Sequence, residues 1–354
     1  MQCPQCGAQN PAGTVYCRNC GTELVTRRSH AQTAKWRWWW LGLLGMVVVA
    51  AGIAWGVWQH GQHLQLAVKP APAVSRTSQS QRASVASTPK TPALPTTQVK
   101  TLAQATVLAV AGTNSVYVAK LGTSGEFVAN NAPQRAASDI KLFIMATVFH
   151  QVAAGKLDLA KNYTMTAADK VGGSGVMQGF APGTTVPLRQ VVQYMMDDSD
   201  NVASNIMVAQ VGGLAAVNAE SKRIGATDTV MARKLMDTQA LAAGHDNLTS
   251  VKDLGLLLTK LYQHRLVSPE ADEQMLALLA QNKNHTKLPA QVTDAKVYNK
   301  TGEFGDYGVQ NDAAIMTNAH GTMVVVVLAQ GGAEQAQIQA QSNFGVKLAA
   351  LLLA

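Results

Sequence analysis

The sequence predicts an α+β fold for the large C-terminal part of the chain, with an antiparallel sheet flanked by helices and an adjoining helical lobe. Two observations support this fold class. Strand-like runs stand at the front and near the end of residues 101–354, and helical segments fill residues 138–285 between them. This order is typical of a sheet whose edges come from both ends of a domain. Ahead of the domain lie a cysteine-rich segment (1–24), an apolar run (38–58) and a polar linker (59–100).

All four cysteines lie in the first 20 residues, as two Cys-x-x-Cys pairs that are each followed by glycine. They are Cys3, Cys6, Cys17 and Cys20. Four thiolates in two such pairs close a tetrahedral site, which suits structural zinc and leaves no open position for chemistry. We therefore expect residues 1–24 to be a zinc ribbon, and the pattern resembles the small zinc ribbons that precede a membrane span in many bacterial proteins. Two disulfides are the alternative, favoured only if this end lies outside the cell.

The run from Trp38 to Trp58 has 21 residues without a charge and carries tryptophans at both ends. As a helix it reaches about 30 Å, the thickness of a hydrocarbon core. A buried core helix is the alternative, but the length and the interfacial tryptophans favour a single membrane span. Basic side chains precede it, which predicts a cytoplasmic N-terminus and an extracellular C-terminal domain. They are Arg27, Arg28, Lys35 and Arg37.

Residues 59–100 hold five of the twelve prolines among Ser, Thr, Ala and Gln, which predicts a disordered tether. The net charge of +8 also belongs to the front of the chain, because residues 1–100 contain ten Lys or Arg and a single acid, Glu23. This charge favours anionic lipid headgroups and wall polymers as partners. We expect no nucleic-acid partner, because no aromatic residues interleave with the basic ones.

The domain of residues 101–354 is expected to open with a hairpin and to close with three strands and a helix. The hairpin signal is Gly112-Thr113-Asn114 between two β-prone runs. The expected elements are strands at Ala105 to Val110, Ser115 to Ala119, Lys296 to Lys300, Asn311 to Met316 and Met323 to Leu328, and a last helix at Ala333 to Leu353.

Ser138 and Lys141 stand three residues apart at the head of an apolar run that predicts a helix. Positions i and i+3 share one face of a helix, so the hydroxyl and the amine would lie side by side. A lysine that has lost its proton can then serve as the base for a serine nucleophile. A second Ser-x-x-Lys begins at Ser87, but Pro89 lies inside it and is incompatible with a helix. Ser138 would lie at the seam between the sheet and the helical lobe, a common position for a pocket.

Two further motifs follow Ser138 in order, Ser199-Asp200-Asn201 and Lys300-Thr301-Gly302. This ordered set resembles the class A β-lactamase and penicillin-binding serine hydrolases over nearly all of residues 101–354. Further family-like segments strengthen the resemblance. They are Gly173-Ser174-Gly175-Val176, Gly225 to Thr229, Gly305 to Gly308 and Asn311-Asp312.

The resemblance implies a β-lactamase/transpeptidase-like fold and an acyl-enzyme mechanism on a β-lactam or a cell-wall peptide amide, with no cofactor for catalysis. It also implies a role for each motif residue. Ser138 would be the nucleophile, Lys141 its base and Ser199 the proton relay. Asn201 would hold the substrate's side-chain amide, and Lys300 and Thr301, of the motif that ends in Gly302, would hold its carboxylate. The backbone N–H groups of Ser138 and Glu303 would form the oxyanion hole.

The sequence departs from the family pattern at two places. The loop of residues 233–247 contains no glutamate, whereas class A β-lactamases use a loop glutamate to activate the water that clears the acyl-enzyme. Asp237 is the nearest carboxylate, and His245 and Asp246 are expected in a loop and a helix cap. Glu303 also places a carboxylate beside the expected carboxylate-binding site, where it would repel anionic β-lactams.

Three functions therefore remain open from the sequence. The first is a membrane-anchored extracellular serine hydrolase. The second is a penicillin-binding or sensing module that is acylated or occupied without efficient turnover, with the zinc ribbon reporting to a cytoplasmic partner. The third is an inactive scaffold, which the intact motifs argue against.

The zinc ribbon gives a first testable expectation. The purified chain should contain one zinc, and replacing Cys3 or Cys17 by serine should remove it, because three thiolates no longer close the tetrahedral site. Metal analysis of the purified chain and its variants checks this. A purified peptide of residues 1–30 that binds no zinc would contradict the ribbon.

Overall fold

The computed structural model describes residues 91–354 together with Gln2 and Gln9. The four cysteines of the predicted zinc ribbon, the predicted membrane span and the linker up to residue 90 lie outside the described residues. Nine strands occur in residues 91–354. They are β1 (Thr113–Lys120), β2 (Phe127–Ala129), β3 (Gln134–Arg135), β4 (Asn162–Thr164), β5 (Thr185–Pro187), β6 (Leu248–Thr249), β7 (Lys296–Phe304), β8 (Val309–Asn318) and β9 (Gly321–Gln330).

Nine α-helices of the same part surround or adjoin these strands. They are α1 (Thr96–Gln104), α2 (Ile140–Ala153), α3 (Leu188–Asp197), α4 (Asn201–Gln210), α5 (Leu214–Ile224), α6 (Thr238–Ala242), α7 (Val251–Tyr262), α8 (Pro269–Leu279) and α9 (Glu334–Leu352). The predicted α+β class and the predominantly helical middle are confirmed.

Five strands form one antiparallel sheet in the order β2-β1-β9-β8-β7. Strand β1 pairs with β9 in a register that puts Tyr117 opposite Val326. Strand β8 joins β9 to β7, with Lys300 opposite Ala313. The sheet therefore combines the front and the end of the domain, as the sequence predicted.

Side chains alternate across the sheet and supply two separate cores, because successive strand residues point to opposite faces. One face packs under α1 and α9, where Val325 and Val327 meet Val99 and Phe344. The other face packs against the helical lobe and presents Val326 and its neighbours. Strand β9 is buried on both faces, which explains its continuous apolar run.

Helix α2 lies at the centre of the helical lobe. Every residue from Ile140 to Phe149 is buried, including Lys141. A helix that is apolar on all sides must be enclosed by other elements. The residues at its N-terminus are consequently held by packing from the lobe and by the turn that connects them to the sheet.

Two expectations for the front of the domain are wrong. The run Ala105 to Val110 forms turns after α1 and is not a strand. No hairpin precedes β1, because β1 pairs with β9, which arrives about two hundred residues later, and with β2. The folded part also starts before residue 101, since α1 begins at Thr96 and buries Val99 completely. The three late strands and the last helix are confirmed.

The helices of the described residues differ from membrane-spanning helices in length or hydropathy. Among residues 91–354, no single helix is both long and apolar enough to span a bilayer, whereas α4 and α5 taken together meet the criteria with an 83° bend between them. The predicted span at residues 38–58 lies outside the described part of the chain.

Asp197 at the end of α3 gives a prediction for stability. It is buried, and its Oδ2 accepts a hydrogen bond from Gln193 Nε2 at 3.0 Å. Burial raises the pKa of Asp197 to about 7, so the fold favours the protonated acid. Its contribution to stability is present below the ordinary carboxyl pKa and is lost as pH rises through 7. Asp197→Asn should therefore stabilise the domain at pH 8, by up to about 4 kcal/mol, and much less at pH 4.

Urea unfolding followed by far-UV circular dichroism at the two pH values checks this prediction. The exposed Asp294→Asn change is the matched control and should have little effect at either pH. Equal effects of Asp197→Asn at pH 4 and pH 8 would contradict the assignment.

Candidate active site

Ser138 lies in a 3-10 turn, Ala137–Asp139, that leads directly into α2. The turn is fixed to the sheet because Asn311 Nδ2 donates to the carbonyl oxygens of Arg135 and Ala136, at 2.9 and 3.3 Å. Ala137 has a φ of 45°, a left-handed conformation that is costly for a residue with a side chain. The nucleophile candidate thus stands half-exposed at the seam between the sheet and the helical lobe, as predicted.

The amine of Lys141 contacts both candidate serines. Its Nζ lies 3.0 Å from Ser138 Oγ and 3.0 Å from Ser199 Oγ. It also lies 2.5 Å from the carbonyl oxygen of Ser199 and 3.0 Å from Asn201 Oδ1. The side chain is completely buried. One nitrogen therefore joins the Ser-x-x-Lys and Ser-Asp-Asn motifs, which are about sixty residues apart in the sequence.

The environment of Lys141 favours its uncharged form. Burial lowers the pKa of the ammonium well below its ordinary value, and the charge of Lys300 lowers it further. A neutral amine has two N–H donors and one lone pair. The Ser199 carbonyl and Asn201 Oδ1 can only accept, so they can take the two N–H bonds. The lone pair is then available to receive a proton from a serine hydroxyl.

Asp200 holds the second motif in place. Its Oδ2 accepts from the N–H groups of Val176 and Met177, both at 2.7 Å, and its Oδ1 caps α4 through Ala203 N at 2.9 Å. A Cβ on Gly175 would lie 2.2 Å from the Asp200 carboxyl carbon, so this position needs glycine. The Gly-Ser-Gly-Val turn is thus built onto the buried carboxylate of the Ser-Asp-Asn motif.

Ser199 and Asn201 flank that carboxylate and both face Lys141. Ser199 has a φ of 51°, which turns its carbonyl and its hydroxyl toward the same amine. Asn201 Nδ2 donates to Gly172 O at 3.2 Å, while its Oδ1 accepts from Lys141. The side-chain amide expected to hold substrate is therefore already oriented by the protein.

The third motif lies on β7, against the turn Ala137–Asp139 that contains Ser138. Lys300 and Thr301 are buried, and Lys300 Nζ donates to the Thr301 carbonyl at 2.8 Å. A Cβ on Gly302 would lie 2.9 Å from Ala136 O and 3.1 Å from Ser138 N. Glycine here lets the strand approach the backbone of the Ser138 turn closely.

Several charged residues beside this motif are buried, and the sequence patterns did not predict their burial. Lys287 is 1 % exposed and forms an ion pair with Glu303. Asp312 is fully buried and accepts from Asn299 Nδ2 at 2.9 Å. Asp139, the residue after Ser138, is also fully buried. Lys287 lies in a polar stretch without periodicity, so nothing in the sequence marks it as buried.

Comparison with known proteins agrees with this geometry. The family model described as the β-lactamase enzyme family matches residues 95–352. The chain belongs to this family. A curated relative, the extended-spectrum β-lactamase PER-1 of Pseudomonas aeruginosa, is 26% identical over 211 residues, which cover 56% of this chain and 68% of that protein. The carbapenem-hydrolyzing β-lactamase KPC of Klebsiella oxytoca is 30% identical over 215 residues, covering 58% and 71%.

Two solved structures share the fold of this domain. A β-lactamase from Sphaerobacter thermophilus superposes with a TM-score of 0.68 at 29% identity and covers 73% of this chain and 98% of its own. The structure of PBP-A superposes with a TM-score of 0.65 at 24% identity, covering 73% and 98%, and shows likeness of fold alone. The predicted α+β fold of the β-lactamase/transpeptidase type is therefore confirmed for residues 95–352.

The N-terminal segment has a separate match. Residues 1–25 match a domain of unknown function, DUF7577. The four cysteines predicted to bind zinc fall within this match and outside the described residues. Within residues 91–354 there is no group of three or more His, Asp or Glu side chains placed to hold a metal ion.

The loop of residues 233–247 in this β-lactamase-family domain contains two carboxylates, Asp237 and Asp246, and each has a partner within the protein. Asp237 caps α6, with Oδ1 accepting from Ala240 N at 2.9 Å. The prediction of a cap involving Asp246 is wrong, because its carboxylate forms ion pairs with Arg233 and Arg135. The cap of α7 is instead Ser250.

A different residue of that loop approaches the site. Asn205 fixes the loop backbone by donating to Leu235 O at 3.0 Å and accepting from Leu235 N at 2.9 Å. Met236 follows with a φ of 64° and is 44% exposed. Its sulfur would lie 3.1 Å from a Cβ on Gly173, which itself lies against the Asn201 amide. The Met236 thioether and the Asn201 amide thus both lie close to Gly173.

The close approach at Gly302 gives a prediction for the reaction. Gly302→Ala should force β7 and the nucleophile turn apart, because the added Cβ meets Ala136 O and two backbone N–H groups. The rate at which an acylating β-lactam modifies the protein should fall by about 100-fold. Gly305→Ala is the matched control, since a Cβ there meets nothing within 4 Å.

Intact-mass kinetics with a penicillin measure the rate, and circular dichroism checks that both variants are folded. A folded Gly302→Ala variant that reacts as fast as Gly305→Ala would show that the tight approach has no part in positioning Ser138.

Proposed function

We propose that this domain is a serine hydrolase that forms an acyl-enzyme at Ser138 with a β-lactam or a cell-wall peptide amide. The observation that supports it most directly is the buried Lys141 amine placed 3.0 Å from the hydroxyl oxygens of both Ser138 and Ser199. Membership of the β-lactamase enzyme family supports the same reaction class.

In the proposed acylation, Ser138 Oγ attacks the amide carbonyl and its proton passes to Lys141 Nζ. The tetrahedral intermediate collapses, the C–N bond breaks, and an ester to Ser138 remains. The proton reaches the leaving nitrogen from Lys141 through the Ser199 hydroxyl. The transfers from Ser138 to Lys141 and from Lys141 to Ser199 each span one hydrogen-bond length in the resting site.

The remaining motif residues would bind and stabilise the substrate. The N–H groups of Ser138 and Glu303 would donate to the carbonyl oxygen as negative charge develops on it. Asn201, whose amide is already held by Lys141 and Gly172, would bind a side-chain amide of the substrate. Lys300 and Thr301 would bind the group beyond the scissile bond.

A second candidate function is a penicillin-binding or sensing module that is acylated without efficient turnover. It is favoured by the loop of residues 233–247, which contains no glutamate and whose Asp237 is occupied in capping α6. With no glutamate there to activate water, and with Asp246 paired with two arginines, hydrolysis of the ester at Ser138 should be slow. Formation of the acyl-enzyme would then exceed its breakdown.

We also propose an anchored arrangement for the whole chain. Residues 38–58 would span the membrane once, residues 59–90 would tether the extracellular domain, and the cytoplasmic ribbon of residues 1–24 would hold one structural zinc and contact a cytoplasmic partner. Support comes from the charge-free apolar run, the basic residues before it and the spacing of the cysteines.

A direct test follows the mass of the purified chain after mixing with benzylpenicillin. We expect one adduct that persists for hours, because acylation proceeds while hydrolysis is slow. Ser138→Ala should remain unmodified. Ser87→Ala is the matched control, because it removes the serine of the other Ser-x-x-Lys sequence, and it should react as the natural chain does.

Two results would contradict parts of this proposal. Labelling of Ser138→Ala would refute the nucleophile. Destruction of benzylpenicillin without a lasting adduct would show efficient hydrolysis, and would refute slow turnover while leaving the hydrolase assignment intact.

A further inference from the structure

Glu303 places a carboxylate next to the expected substrate-carboxylate site. It stands two residues after Thr301 on β7, so both side chains point to the same face of the strand. Its side chain is 38% exposed, whereas Lys300 and Thr301 are buried. The Glu303 carboxylate therefore lies beside Thr301, one of the two residues expected to bind a substrate carboxylate, and the Thr301 side chain hydrogen-bonds it.

The position of Glu303 is fixed by two residues from the segment before β7. Its Oε1 accepts from Lys287 Nζ and from Asn284 Nδ2, the latter at 3.1 Å. Lys287 is almost completely buried, and a buried ammonium that loses its carboxylate partner is costly. The ion pair should consequently persist and keep the carboxylate beside the site.

The carboxylates near Lys300 differ in the protonation state that their surroundings favour. Burial tends to raise the pKa of Glu303, but Lys287 and Lys300 outweigh it and leave this pKa below its ordinary value. Burial raises the pKa of Asp312 to about 6. Burial raises the pKa of Asp139 well above its ordinary value, which favours the neutral acid. Burial lowers the pKa of Lys300, and the charge of Glu303 opposes that lowering more strongly than any other neighbouring charge does. Glu303 is thus the carboxylate that most favours the charged form of Lys300.

We propose that Glu303 is a specificity-determining residue that acts as the internal counter-ion of Lys300 and directs the site to acyl donors without a carboxylate at that position. This inference rests on the proposed acyl-enzyme function. The corresponding substrate class is an internal or amidated peptide bond, in which the group beyond the scissile amide carries no charge. A free carboxylate there would meet Glu303 and a lysine that is already neutralised.

The test compares two probes that differ only in that charge, benzylpenicillin and its methyl ester. Intact-mass kinetics on the full chain give an acylation rate for each probe. In the natural chain we expect the ester to react faster than the acid. In Glu303→Gln the ester-to-acid ratio should fall by about 10-fold or more, because Lys287 and Lys300 then attract the anion.

Two further variants sharpen the result. Glu273→Gln makes the same chemical change at an exposed position on α8 and should leave the ratio unchanged. Lys287→Met removes the partner of Glu303 and should raise the ratio, provided that circular dichroism shows it to be folded.

Different results separate the two proposals. An ester-to-acid ratio that is the same in the natural chain and in Glu303→Gln would overturn the role of Glu303. A natural chain that reacts with neither probe would refute the proposed acyl-enzyme function instead.

Discussion

The site depends on burying the Lys141 amine without a paired carboxylate. No ion pair within residues 91–354 involves Lys141, and its neighbours are two serines, a carbonyl and an amide oxygen. In such surroundings the uncharged amine is favoured, because an unpaired ammonium in a dry interior is costly. The completely buried α2 carries Lys141 into this environment, and the enclosing sheet and lobe keep water away from it.

Backbone strain is concentrated around this amine. Among residues 91–354, five residues other than glycine have a left-handed φ, and three of them are Ala137, Ser199 and Met236. Ala137 directly precedes Ser138, and Ser199 is the second serine that contacts the amine. Met236 lies beside Gly173, which lies against the Asn201 amide. Such conformations persist only where the surrounding structure enforces them. Here Asp200, Asn205 and Asn311 do so through buried hydrogen bonds to backbone groups.

The sequence predicted the motif residues and most of the sheet, because both rest on local patterns. The spacing of Ser138 and Lys141 gives a shared helix face, and the apolar run of β9 gives a buried strand. The failures are non-local. The run from Ala105 to Val110 has β-forming residues, but β1 takes its partner from the far end of the domain. Lys287 is buried by an ion pair that no local pattern announces, and Asp246 is an ion-pair partner in what resembled a capping sequence.

The titration of Lys141 tests most simply whether its amine is uncharged in the resting site. NMR of the domain labelled with 13C at lysine Cε follows each amine, and loss of one resonance in Lys141→Arg assigns the signal. We expect a midpoint well below the ordinary lysine pKa of 10.5, with the uncharged amine present in the resting site. A midpoint at or above 10.5 would mean that Lys141 is an ammonium at neutral pH. It could then not accept the proton of the Ser138 hydroxyl, and the proposed role of Lys141 as a base would be wrong.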